Sequence, residues 1–144
     1  MKVHSTVLRH YRTEDGAKHW VRIRRLRCKK CRKIHRQLPD TILPYKHYQA
    51  QVIEEVLDDA KPEPTGPESS TLYRWKKWFS SAKGLLESRL VAMQTVKTGL
   101  FQSLLRDETL LAERRKKGGG WLADIMRHTI NAGYPACIPS LRID

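Results

Sequence analysis

Cys28-Lys29-Lys30-Cys31 is where side chains of the right kind first stand at a spacing that does chemistry. Two thiolates separated by two residues on a tight turn can both face one tetrahedral Zn²⁺, and adjacent Lys and Arg favour the thiolate form. His35, four residues after Cys31, is the nearest third ligand, and His4 is a more distant one. A redox pair of this spacing belongs to a thioredoxin-like βαβ unit, and no such unit surrounds it. Cys28, Cys31 and His35 are therefore the expected zinc ligands, in a site that these residues alone leave incomplete. Cys137 reads as a free thiol in a C-terminal tail, and His10 and His19 lie inside strands, toward solvent or phosphate.

The cations are the second chemical signal. The 144 residues carry 28 Lys+Arg against 15 Asp+Glu, a net charge of +13. Residues 1–36 hold 13 basic and 2 acidic side chains, residues 37–71 hold 2 and 7, and residues 72–117 hold 11 and 4. Two basic blocks around an acidic spacer release counterions when they settle on phosphates, which favours nucleic acid over small ligands. The densest run is Arg22, Arg24, Arg25, Arg27, Lys29, Lys30, Arg32, Lys33 and Arg36, with Trp20 beside it. Phosphate contact is its expected role. In the second block, a helix with Leu72, Trp75 and Phe79 inward turns Ser70, Tyr73, Arg74 and Lys77 outward. Such a face suits a recognition helix in a major groove, behind a cap at Ser69, Ser70 or Thr71.

Several chemistries are excluded. Gly118-Gly119-Gly120 lacks the following Lys-Ser/Thr of a phosphate-cradling loop. No Ser/His/Asp or Cys/His set can be assembled, and acids are too few and too localised for a two-metal carboxylate cluster. The expected protein is non-catalytic. No apolar run is long enough to span a membrane, and three cysteines do not make a disulfide framework.

These groups need elements to hold them. Residues 2–12 and 18–27 alternate as strands, and Glu14-Asp15-Gly16 supplies the turn of a β-hairpin. Leu26 is out of phase with Val21 and Ile23, so a bulge is expected near Arg24-Arg25. A helix over about 46–59 carries Tyr48, Val52, Ile53, Val56 and Leu57 as its apolar stripe, with Glu54, Glu55, Asp58 and Asp59 on the surface. Prolines at 62, 64 and 67 end it. A helix to about Ser80 follows, then apolar stripes at Leu86, Leu90 and Met93 and at Phe101, Leu104 and Leu105. Residues 114–120 read as a basic, flexible break before a last helix at about 121–132, which Gly133 and Pro135 stop. The fold class is α+β: a zinc-ribbon-like β-hairpin module at 1–44, a mainly helical, helix-turn-helix-like module of four or five helices at 45–132, and a tail at 133–144. The link before the 70–79 helix is longer than the three- or four-residue turn of a standard helix-turn-helix.

Ile23-Arg24-Arg25-Leu26-Arg27-Cys28, Cys31, Ile34-His35-Arg36-Gln37-Leu38-Pro39-Asp40 and Leu43-Pro44-Tyr45-Lys46 resemble a family of uncharacterised bacterial proteins. That family is similar to the N-terminal zinc-ribbon and helix-turn-helix part of insertion-sequence transposases. Ser70-Thr71, Arg74-Trp75 and Trp78-Phe79 match its second stretch, and the likeness spans roughly residues 2–81. It implies DNA binding linked to mobile elements. Members usually carry a first Cys-x-x-Cys knuckle just before the segment matching Lys2-Val3-His4, where this chain has only Met1. Either the start codon is assigned too late, which the intact Cys28/Cys31 knuckle favours, or half of the zinc site has been lost.

The expected function is DNA binding, transposase-related or regulatory, in the cytoplasm with the nucleoid. The partner would be double-stranded DNA, with 82–132 offering a surface to a second copy or a partner transposase. An RNA- or ribosome-associated basic protein, and a helical protein-interaction module, are the alternatives.

Overall fold

In the computed structural model, which describes residues 1–60, 66–99 and 106–134, the N-terminal third follows its alternation closely. Strand β1 (Lys2–Arg12) pairs antiparallel with β2 (Lys18–Arg27), joined through the expected turn. There Asp15 accepts from the Thr13 hydroxyl and the Ala17 amide, and Gly16 takes a φ of 77°. The register shifts between Val3 and Ser5, so the extra residue is His4, opposite the Arg25–Leu26 step. The irregularity thus falls at the expected level, on the partner strand.

A third strand, β3 (Ile34–Gln37), pairs antiparallel with β2, giving a sheet of order β1-β2-β3. The sheet buries little: Ile23 is its one buried hydrophobic residue among those described, while Val3, Leu8, Trp20 and Ile34 are exposed. One face is covered by the segment that follows. Arg9 donates to the carbonyls of Leu43 (3.3 Å) and Lys46 (2.6 Å), and Arg12 exchanges backbone bonds with His47 and Gln49.

The rest is helical: α1 (Ala50–Leu57), α2 (Ser69–Thr98), α3 (Leu110–Lys116) and α4 (Trp121–Asn131). The α+β class holds, with four helices among the described residues. Their shared core joins Leu43, Val52, Ile53 and Val56 to Trp75, Phe79, Leu86, Leu90, Leu122 and Ile125, and includes no residue of the sheet.

Helix α2 does not stop near Ser80. Trp75, Phe79, Ala82, Leu86 and Leu90 form one buried seam at spacings of three and four, so packing carries the helix through Ser80, Ser81 and Gly84. Ser81 and Ser88 donate to the carbonyls four residues back. Thirty residues make a rod about 45 Å long. Its N-cap is Glu68, without a side-chain bond, in place of the hydroxyl cap expected at 69–71.

Two further expectations change. Arg114, Arg115 and Lys116 are the last turn of α3, and the glycines after them form an ordered turn, with φ of 101° at Gly118 and 90° at Gly120. Glu54 is buried, 3% exposed. Its carboxylate accepts from the amides of Gly120 (2.6 Å) and Leu122 (2.8 Å), the first turn of α4, where free N–H groups and the helix dipole favour an anion. Glu87 does the same for α3, accepting from Leu110 (2.9 Å) and Leu111 (2.8 Å). Residues 61–65 of the proline-rich link, Phe101, Leu104, Leu105, Pro135, Cys137 and most of the 133–144 tail lie outside the described residues.

Candidate metal centre and nucleic-acid interface

The hairpin turn between β2 and β3 is the knuckle. The Cys28 amide donates to the Lys33 carbonyl (3.0 Å) and the Arg32 amide to the Cys28 carbonyl (3.1 Å). Arg32 sits at φ 57°, a left-handed conformation that returns the chain to the sheet after Cys31. This fold-back aims the amides of Cys31 and Lys30 at the Cys28 sulfur. Together with the Cys31 thiol they hold the Cys28 pKa below that of an ordinary thiol, against desolvation.

β3 delivers the third donor. His35 stands opposite Leu26 and brings Nε2 to 3.7 Å from Cys31 Sγ. The donor atoms of Cys28, Cys31 and His35 all lie within 4.8 Å of one another, with Cys28 half-buried and the other two exposed. These three residues can hold a metal ion. His4 is outside this group and contacts Ser5 Oγ instead.

The nine-cation run divides. In-register partners share a face, so Arg22 (opposite Leu8) and Arg24 (opposite Thr6 and Gln37) lie on the face away from the covering segment. Arg25, Arg27 and Arg36 belong to the other face; Arg25 donates to Ser5 Oγ (2.8 Å) and faces Arg36. Lys29, Lys30, Arg32 and Lys33 ring the knuckle, all exposed. A strand's period of two makes a contiguous basic run into three groups.

The open face carries Thr6, Leu8, His10 and Arg12 from β1 with Lys18, Trp20, Arg22 and Arg24 from β2. It holds no acidic residue. Trp20 is 61% exposed, with His10 edge-on at 5.4 Å and Lys18 Nζ 5.4 Å from its ring centre. His10 stacks in turn on His47. Desolvation first, then Lys18, His47, Arg12 and Arg9, lower the His10 pKa.

On α2, Ser70, Tyr73, Arg74 and Lys77 are all exposed at positions that share one helix face. Arg74 folds back onto the Ser70 carbonyl and Thr71 Oγ.

What separates the two basic blocks is their counter-charge. Lys76 pairs with Asp59, Arg106 with Glu113, Arg114 with Asp124, Arg115 with Asp58, Lys116 with Glu108, and Arg127 with Asp40 and Asp124. No Lys or Arg of residues 1–36 enters an ion pair among the described residues. Carboxylates of the acidic spacer and of the helical region pair with cations of the helical region, and none pairs with a cation of the sheet among the described residues. Sequence order could not show this, since Asp58 and Arg115 stand 57 residues apart.

A family model described as a domain of unknown function, DUF6431, matches residues 1–75, just over half of the chain. No curated protein and no solved structure matches it.

Proposed function

Starting from the fact that the chain belongs to the DUF6431 family, we propose that it is a non-catalytic DNA-binding protein with a metal-held knuckle. The observation that carries this reading is the uncompensated charge of the N-terminal sheet. Cations left without internal partners repel one another unless an external polyanion lies against them, and phosphate release of counterions then drives association. Arg22, Arg24 and the knuckle cations Lys29, Lys30, Arg32 and Lys33 are the phosphate contacts; Ser70, Tyr73, Arg74 and Lys77 are the helix face that reads base edges. The resemblance over roughly residues 2–81 to uncharacterised bacterial proteins, a family itself similar to the N-terminal part of insertion-sequence transposases, favours a transposition-related or regulatory setting.

Zinc is the metal that suits the donor set. Two thiolates and an imidazole are soft and borderline ligands, which Zn²⁺ takes in tetrahedral geometry. Bond lengths of about 2.3 Å to sulfur and 2.05 Å to nitrogen at a tetrahedral angle put S and N about 3.6 Å apart, and Cys31 Sγ lies 3.7 Å from His35 Nε2. Three protein donors leave one position of the tetrahedron for a fourth. The ion's role is structural: it clamps β3 to the end of β2.

Fluorescence anisotropy with a labelled duplex and with a structured RNA, across a salt series, tests the reading. About six phosphate contacts would weaken duplex binding roughly a thousandfold between about 50 and 200 mM salt. Absence of duplex binding even at the lowest salt overturns it, and tighter binding to the RNA reassigns the polyanion. Native mass spectrometry reads the metal directly, with one zinc per chain expected.

A further inference from the structure

Phosphate contacts account for the cations of the open sheet face but leave Trp20 unexplained. An indole 61% exposed, near the hairpin end of β2 and touched only by His10 at its edge and Lys18 beside its ring, leaves apolar surface uncovered. Its neighbours narrow what could cover it. Arg22 and Arg24 follow at alternate positions on the same strand, spaced roughly 6.6 Å apart along it. Leu8 stands opposite Arg22, and His10, Arg12 and Lys18 surround the ring on the other side. A neutral protein or lipid surface would leave the four cations Arg12, Lys18, Arg22 and Arg24 uncompensated. A duplex would satisfy those cations but could not satisfy the indole, because its bases already stack on one another. A polymer with an unpaired base between phosphates satisfies both at once.

Resting on the nucleic-acid reading above, we propose that this face binds single-stranded DNA. One unpaired base stacks on Trp20, and the flanking phosphates lie on Arg22 and Arg24 on one side and on Lys18 and Arg12 on the other. Leu8 continues the apolar floor beside the ring. DNA is the occupant, in keeping with the DNA reading above, and the oligo(U) arm of the test separates it from RNA.

The test uses the full chain, loaded with zinc, and anisotropy with short oligo(dT), the matching duplex and oligo(U) in low salt. The expected result is tighter binding to oligo(dT) than to either other probe. Trp20→Ala should weaken oligo(dT) binding roughly tenfold and leave the duplex unchanged, as loss of one stacked base predicts. Trp20→Phe should restore most of the loss. Because Trp20 is largely exposed, an unchanged melting temperature in Trp20→Ala separates lost stacking from lost folding. Equal loss on oligo(dT) and duplex, or no loss on either, overturns the stacking proposal while leaving the charge-based reading standing. Tighter oligo(U) binding overturns the choice of DNA. Failure of all three probes to bind removes the nucleic-acid reading itself.

Discussion

The N-terminal sheet and the helical region are both basic, and they handle that charge in opposite ways. In the helical region six cations meet carboxylates, some from far along the chain: Arg115 meets Asp58, Arg114 meets Asp124, Arg127 meets Asp40. In the sheet, guanidinium groups that find partners find neutral ones, the carbonyls of Leu43 and Lys46 for Arg9 and the Ser5 hydroxyl for Arg25. A neutral acceptor orients a cation without cancelling it. Net charge by block therefore overstates the helical region as a polyanion site and understates the sheet.

The contrast can be attacked at its strongest point first. On the proposed zinc reading, Cys28→Ser should take zinc from one per chain to none by native mass spectrometry, because its sulfur is one of the three donor atoms that lie together. Acidification acts in the same direction. The folded Cys28 pKa lies below its ordinary value of 9.0, so the thiolate's contribution is present above that value and is lost as pH falls through the folded one, releasing metal. Next comes a change in the helices that should not touch nucleic-acid binding. Glu54→Ala leaves two α4 amides without a buried acceptor and should cost about 3 kcal/mol in urea unfolding.

Arg22→Glu with Arg24→Glu tests the sheet from the other side, with duplex or single-strand affinity falling roughly a hundredfold at low salt and no change in melting temperature. A smaller, pH-linked effect should follow from His10, whose pKa desolvation first and then the neighbouring cations hold down. A polyanion on that face raises it, so binding takes up a proton and strengthens a few-fold as pH drops from about 7.5 to about 6. His10→Ala should flatten that slope. The smallest effect is expected from Lys76→Ala, where the cation already pairs with Asp59 and affinity for either probe should stay within error. A large loss there would erase the distinction between the two regions.

Much of the sheet was legible because its information is local. Val21 and Ile23 alternate with Arg22 and Arg24, Glu14-Asp15-Gly16 turns the chain, and Cys28 and Cys31 stand two residues apart. β3 was not legible, since Ile34-His35-Arg36-Gln37 has no apolar alternation and all four residues are exposed. Its pairing with β2 decides its form, and with it the position of His35. Glu54 was placed on the surface because its neighbours Glu55, Asp58 and Asp59 read as one polar face. Its partners are amides 66 and 68 residues away, and no window of sequence holds both. The continuity of α2 was hidden by Ser80, Ser81 and Gly84, which weaken intrinsic helix preference but do not outweigh a buried seam.

The two capping carboxylates also tie together parts of the chain that lie far apart. Helices α3 and α4, of seven and eleven residues, are too short to persist alone in water. Each starts on a carboxylate from an earlier helix, Glu87 of α2 and Glu54 of α1. The dependence also runs backwards. A fragment ending at residue 75 would strand Glu54 without the amides it holds and α1 without Phe79, Leu86 and Leu122, so the helical core straddles the end of the family-matched stretch and needs chain on both sides of it.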